Sequence, residues 1–306
     1  MERPYAKIIV GELQALRLSY PDTSIWNCLY DQGVDPGLAL SVLEARGVRP
    51  VLGYNVLYEV AKCFSSGEPD KVLRGQNLCK YLKSFMDQRI SLAMENWALL
   101  IQEAFDVVGT PIDRLRRYAE NYSIAYGAIE KLSEGNFEEG AASFISNRKA
   151  TSRQSRYAMR EGLNAKPNTK AALLATDEDA LPQFMDEHCV AASGWQALQS
   201  HLRSLFPDNP ESELAMAAWK LLHSAQYRVA RAITRIDIYL CWRCVHRGSI
   251  RGDVPDDAFH VTAAAYCQDF LTTEADQAEI ATRVLDGIRA RVYTGDEPIL
   301  QWLAAA

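Results

Sequence analysis

Apolar residues fall into two rhythms along this chain. At both ends, short apolar runs alternate with segments whose apolar positions recur every three to four residues, the signature of strands followed by amphipathic helices. Residues Arg17 to Asp22 read as a strand that stops at an acid, and Thr23-Ser24 open a helix through Ile25, Trp26, Leu29 and Tyr30. A second helix begins near Asp35-Pro36 and ends at Gly47. Arg49 to Tyr54 is the next strand, and Asn55 is expected to cap a helix with Leu57, Val60, Ala61 and Phe64 on one face. Helix returns from Asp70 to about Phe85, followed by a strand over Arg89–Leu92 and a helix over Asn96–Val107. Near the other end, a helix over Pro255–Cys267, a strand over Phe270–Thr273, a helix over Ala275–Ile288 and a strand over Ala290–Thr294 repeat the alternation.

The middle has a different character. From about Asp106 to Gln226 the periodicity is helical, broken at Gly135-Asn136, Lys166-Pro-Asn168 and Phe206–Pro210, with few β-branched runs. A long helix from about Glu211 to His246, whole or in two pieces, carries an apolar stripe of Trp219, Leu222, Gln226, Val229 and Ile233 that reads as core packing. Strands alternating with helices at both ends imply a parallel sheet covered on both faces, so candidate ligands belong at the carboxyl ends of its strands. The chain divides on this reading into 1–105 and 225–306, which share one α/β domain, and an all-helical insertion over 106–224.

Composition narrows the setting. With 306 residues, 48% hydrophobic and 24% charged, the chain has material for a large core, and a net charge of −6 argues against a protein that coats nucleic acid along its whole surface. The seven cysteines are odd in number and scattered, which reads as thiols in a reducing cytoplasm. Neither a signal peptide nor a stretch of 18 apolar residues is seen, so no membrane role is expected. Cys241-Trp-Arg-Cys244 has CxxC spacing but no second pair, and it falls inside a helical run.

Four acidic elements stand at strand ends or helix starts. Asp22 ends the first strand and either caps the following helix or faces a cleft. Glu59 lies a turn inside the helix after the second strand, on a solvated face or turned into a polar pocket. Asp256-Asp257 open a helix, where its dipole favours anions, and His260, a turn later, is a ligand or a hydrogen-bonded packing residue. Glu274 and Asp276 follow the strand Phe270–Thr273. Each element alone has a structural explanation; their joint appearance in this order is what suggests a site.

In that order the chain resembles the PIN-domain nuclease family. The matches are Asp22-Thr-Ser, Glu59 soon after the second strand, Asp257-Ala-Phe-His-Val-Thr-Ala-Ala-Ala and Phe270-Leu-Thr-Thr-Glu274, covering about 17–96 and 225–303. The resemblance implies a three-layer α/β/α PIN-like fold with a central parallel sheet and a large helical insertion. It further implies a metal-dependent endoribonuclease in which Asp22, Glu59, Asp257 and Glu274 are catalytic metal ligands for Mg²⁺ or Mn²⁺. Asp276 is a spare ligand, and Ser24 and Thr272 match positions that support the carboxylates by hydrogen bonding. The family more often has Asp where Glu274 stands, and its smallest members lack an insertion. Oxygen-only ligation suits these hard cations, which make water nucleophilic and stabilise a leaving oxygen.

Charge suggests the substrate contacts. Arg148, Lys149, Arg153, Arg156, Arg160, Lys166 and Lys170 form a basic stretch opposed only by Glu161. Arg228, Arg231 and Arg235 follow at i, i+3 and i+7, and Arg243, Arg247 and Arg251 lie just before Asp257. These either grip RNA phosphates or are a solvated helix face. Metal–carboxylate chemistry does not read the sugar, so DNA stays open as a substrate. Two further readings stand beside the nuclease: an inactive PIN-like scaffold binding RNA or protein, and the toxin half of a toxin–antitoxin pair. A homo-oligomer or an antitoxin-like protein would then be a partner.

Overall fold

The computed structural model describes residues 17–87, 91–93, 96–104, 107–108, 127, 129–136, 167–247, 254–285 and 289–293. The first strand, β1 (Arg17–Pro21), ends where Asp22 takes an extended backbone and accepts the Ile25 N–H at 3.1 Å, which starts α1 (Thr23–Asp31). The same device opens α2 (Pro36–Ala45): Asp35 accepts the Leu38 N–H at 2.8 Å, and Pro36 supplies a helical φ where no donor is needed. Then follow β2 (Val48–Gly53), α3 (Tyr54–Lys62), α4 (Pro69–Asp87), β3 (Ser91–Ala93) and α5 (Asn96–Ala104).

Helical turns at 107–108 and 129–133 follow, and then, among the described residues, α6 (Pro167–Ala175), α7 (Leu181–Val190), α8 (Ala192–Leu205) and α9 (Glu211–His223). The chain returns to the sheet through α10 (Arg228–Arg247), α11 (Val254–Ala263), β4 (Asp269–Thr272), α12 (Ala275–Val284) and β5 (Arg289–Val292). The described protein is mostly helical, around a small parallel sheet of order β3-β2-β1-β4-β5. The pairing of β1 with β4, Tyr20 opposite Phe270, joins the two ends of the chain.

Side-chain alternation along the strands explains why both faces of this sheet are covered. Leu18, Tyr20, Val51 and Phe270 join one apolar cluster with α5 to α12, and Val48, Leu52 and Leu271 join another with α1 to α4. The helices α6 to α9 share the first cluster with the sheet residues, chiefly by packing on α10.

Three details complete or depart from the sequence expectations. Gly53, not Asn55, stands at the start of α3, and Asn55 is buried within the helix. A glycine is required at 53 by a distant contact: the Tyr20 ring lies against it so closely that a Cβ there would sit 2.0 Å from the Tyr20 hydroxyl oxygen. The span from Glu211 to His246 is in two pieces, separated at Ser224–Tyr227; of the expected apolar stripe, Leu222, Val229 and Ile233 are buried, but Trp219 is half-exposed and Gln226 is exposed between the helices. Third, Glu103 at the end of α5 is buried and accepts the Val229 and Ala230 N–H groups, each at 2.7 Å, and the Tyr266 hydroxyl at 2.5 Å. It thereby caps α10 from another helix.

These contacts fix the direction of α10. Its first turn meets Glu103 and Tyr266 at the amino edge of the sheet. Its later turns run antiparallel to α12, Arg235 donating to the Arg283 carbonyl and Arg243 pairing with Asp276 at 2.9 Å. The end of α10 therefore lies toward the carboxyl edge of the strands.

Two outcomes are expected. Gly53→Ala forces the Tyr20 ring to move and should cost about 1–3 kcal/mol in urea unfolding, as overpacking does. Burial pushes the Glu103 carboxyl up to about 7, against the pull of Tyr266 and the two N–H groups. Its ordinary value is 4.5. Between these values the folded state binds the extra proton, so stability should fall as pH rises from 4.5 to about 7. Glu103→Gln should flatten that slope in unfolding curves taken across this range.

Candidate metal and nucleic-acid site

The strand order reverses at β1, whose neighbours β2 and β4 continue in opposite directions. In open parallel sheets this leaves a crevice at the carboxyl ends of the strands. Asp22 lies there, 1% exposed. Its Oδ1 accepts the Ser24 hydroxyl at 2.5 Å as well as the Ile25 N–H, and Thr272 also hydrogen-bonds to the carboxyl. The Ser24 oxygen in turn accepts the Thr273 N–H at 2.9 Å, and Thr272 Oγ1 accepts the Glu274 N–H at 2.9 Å. Ser24 and Thr272 thus tie the start of α1 to the end of β4 through one carboxyl group. Burial raises the pKa of Asp22 above its ordinary value despite these donors and the nearby His260.

Glu59 reaches the same region from α3. Its Oε2 is 3.3 Å from His260 Nε2, and its side chain is 23% exposed. Burial alone would raise this carboxyl, but the charge of His260, hydrogen bonds from His260 and Thr23, and Lys62 hold it down to about 2. His260, on α11, is fully buried, and its Nδ1 is 3.1 Å from the Tyr20 hydroxyl. Tyr20 stacks on Phe270 of the neighbouring strand, with ring centroids 5.8 Å apart and planes 8° apart. The line Phe270, Tyr20, His260, Glu59 therefore links β4, β1, α11 and α3.

The structure brings together Asp22, Glu59, Ser24 and Thr272 and adds His260, Thr23 and Tyr20. Of these additions, only His260 stood out in the sequence, one turn past Asp257 on a helix. Thr23 and Tyr20 gave no signal beyond their position beside Asp22. Asp257 lies in the first turn of α11, one turn before His260, and its side chain is outside the described residues. Glu274 is exposed at the residue preceding α12, and its side chain makes no cap hydrogen bond. Asp276 is occupied by the ion pair with Arg243. Among the described residues, no three His, Cys, Asp or Glu side chains are grouped so as to hold a metal ion.

The arginines separate. Arg228 and Arg231 begin α10 and lie toward the amino edge of the sheet, away from Asp22. Arg235 is buried, ion-paired to Asp186 at 3.3 Å, and has no exposed face to offer a phosphate. Arg247, at the end of α10, is exposed and 3.9 Å from Glu178. Arg251 and the basic residues from Arg148 to Lys166 lie outside the described residues. Among the described residues no helix is long and apolar enough to cross a membrane.

No family model, curated protein or solved structure matches this chain.

Breaking the Glu59–His260 pair should leave a buried carboxylate without its counter-charge. His260→Ala is expected to cost roughly 3 kcal/mol in urea unfolding at neutral pH. Glu59 has a depressed folded value, so its stabilisation is present above 4.5 and is lost as pH falls toward about 2. Acid unfolding of His260→Ala should lack that contribution and show a shallower loss over this window.

Proposed function

We propose that this protein is a PIN-like, Mg²⁺- or Mn²⁺-dependent endoribonuclease, with Asp22, Glu59 and Asp257 holding the metal. The observation that carries this reading is the buried Asp22 carboxyl at the reversal of strand order, positioned by two hydroxyl groups from separate chain segments. A carboxyl raised by burial is one that a dication would ionise, and the oxygen donors suit a hard cation. When bound, the metal supplies a nucleophilic water and stabilises the leaving oxygen.

The chain's own residues supply position. Ser24 and Thr272 fix the plane of the Asp22 carboxyl. Tyr20 holds the His260 ring, and His260 fixes Glu59 at the mouth of the crevice. Glu274 is the more distal carboxylate, exposed at the start of α12, and serves as a ligand only if its longer side chain turns inward. Lys62, whose charge acts on Glu59, and Arg247, exposed at the end of α10, are the described cations this reading assigns to a phosphate near this edge. RNA is the preferred substrate through the family resemblance; DNA is the comparison substrate in the test.

One observation favours a second reading. Glu59 is already paired with His260, and no third ligand is grouped with the described carboxylates. That arrangement suits an inactive scaffold of the same fold, which would bind RNA or protein without cutting it.

The deciding assay is cleavage of a mixed single-stranded RNA pool, with single-stranded DNA in parallel. Wild type should cut RNA in Mn²⁺ or Mg²⁺ and stop in EDTA. Asp22→Asn and Asp257→Asn should each lose at least about a hundredfold in rate, the scale of losing a key electrostatic group. Undiminished cleavage by both variants would overturn the site. Silence of wild type across metals and substrates would favour the scaffold.

A further inference from the structure

The corner between α9 and α10 carries a group of residues that the Asp22 site does not use. From Leu214 to Ile236 the chain has no Asp or Glu, but it has Lys220, His223, Arg228, Arg231 and Arg235. Arg235 is withdrawn into its buried pair with Asp186. Lys220 and Arg228 are exposed and form no ion pair among the described residues. Arg231 is half-buried and donates to the Leu222 carbonyl at 3.3 Å, which draws its guanidinium back over the last turn of α9.

On that part of α9, Trp219 is 48% exposed. Its indole stacks on the ring of His223 with centroids 4.4 Å apart and planes 26° apart. His223 is itself fixed, its Nδ1 lying 2.8 Å from the Trp219 carbonyl. The indole is therefore backed by a ring on one side while much of its surface remains in water. Met216, one turn earlier, is also exposed. A backed aromatic face on the same corner as these cations, where the Glu103 carboxyl is buried beneath the first turn of α10, matches what a single-stranded nucleic acid requires. A base needs a π surface, and the flanking phosphates need positive charge.

We propose that the α9–α10 corner is a second binding surface for single-stranded RNA, with Trp219 as the stacking platform and Lys220, Arg228 and Arg231 as phosphate contacts. This rests on RNA being the substrate. The surface lies far from the Asp22 cluster. The rise of an α-helix puts Arg228 about 22 Å along α10 from Arg243, which marks the carboxyl edge through Asp276. The surface anchors RNA at a distance from the point of cleavage and takes no part in the chemistry. Long RNAs engage both surfaces, and short ones only one.

The test is fluorescence anisotropy in EDTA with a labelled oligoadenylate of about 20 nucleotides, beyond the usual span of one single-strand site. Wild type should bind with an affinity that falls as salt rises. Trp219→Ala should weaken binding by about 5- to 100-fold, the scale of one lost base stack, whereas Trp219→Phe should retain most of it. Against an abasic oligomer of the same length, wild type and Trp219→Ala should bind alike. Lys220→Glu with Arg228→Glu should weaken binding and flatten the salt dependence. Because Trp219 is half in water, its variants should keep the wild-type unfolding curve.

Tight oligoadenylate binding unchanged by Trp219→Ala would overturn this surface and leave the nuclease reading to the cleavage assay. No RNA binding by wild type, together with no cleavage, would overturn both. If Trp219→Ala converts a dimer to a monomer in sedimentation while RNA affinity is unchanged, the face joins two copies of the chain and the proposal falls.

Discussion

The Asp22 carboxyl is buried, and its hydrogen bonds reach two parts of the chain that are far apart in sequence. It caps α1 through Ile25 and accepts from Ser24, and it also meets Thr272 at the end of β4. A buried carboxyl left without such donors is costly, so the group is retained only while β1, α1 and β4 hold their places. The pairing of Tyr20 opposite Phe270 makes those places possible, because it closes the sheet between the two ends of the chain. The site and the joining of the chain ends therefore depend on one another. Loss of the β1–β4 pairing would separate Asp22 from Thr272, and Tyr20 from the ring that supports it.

The same dependence runs outward through His260. A histidine with no exposure, between a tyrosine hydroxyl and a glutamate, fixes α11 against β1 and α3. Through α11 it also sets the position of the helix that carries Asp257 in its first turn. At the opposite edge, Glu103 performs a comparable task by capping α10 across the core. Two buried acids, one toward each edge of the sheet, thus fix helix starts: Asp22 that of α1 and Glu103 that of α10. Burial moves both carboxyls in the same direction, but of the two it is Asp22 that stands at the strand-order reversal.

Local chemistry was legible in the sequence. Asp22-Thr-Ser and Asp35-Pro36 announce helix starts because capping involves residues three positions apart, and both caps form. The alternation of strands and helices at the chain ends announced a parallel sheet for the same reason. What the sequence hid was set by distant partners. Residue 53, at the start of α3, has no room for a side chain because Tyr20 crowds it, a contact that no local rule reveals. Glu103 has its acceptors filled by residues of α10 and by Tyr266, more than a hundred positions later. Arg235 shares a helical face with Arg228 and Arg231 by spacing, yet Asp186 on α7 covers it. Trp219 shares spacing with Leu222, yet the face of α9 that packs inward is Leu214, Ala217, Ala218, Leu221 and Leu222, which leaves the indole partly in water.

On the proposed reading, Asp22 and Glu59 would hold a divalent cation. Calorimetric titration with Mn²⁺ in the absence of nucleic acid tests this most directly. The account predicts saturable binding to wild type that is lost in Asp22→Asn and weakened in Glu59→Gln, with all three proteins folded by circular dichroism. Wild type that takes up no Mn²⁺, or Asp22→Asn that binds it as wild type does, would contradict the account and leave the Asp22 cluster as a structural joint between the two ends of the chain.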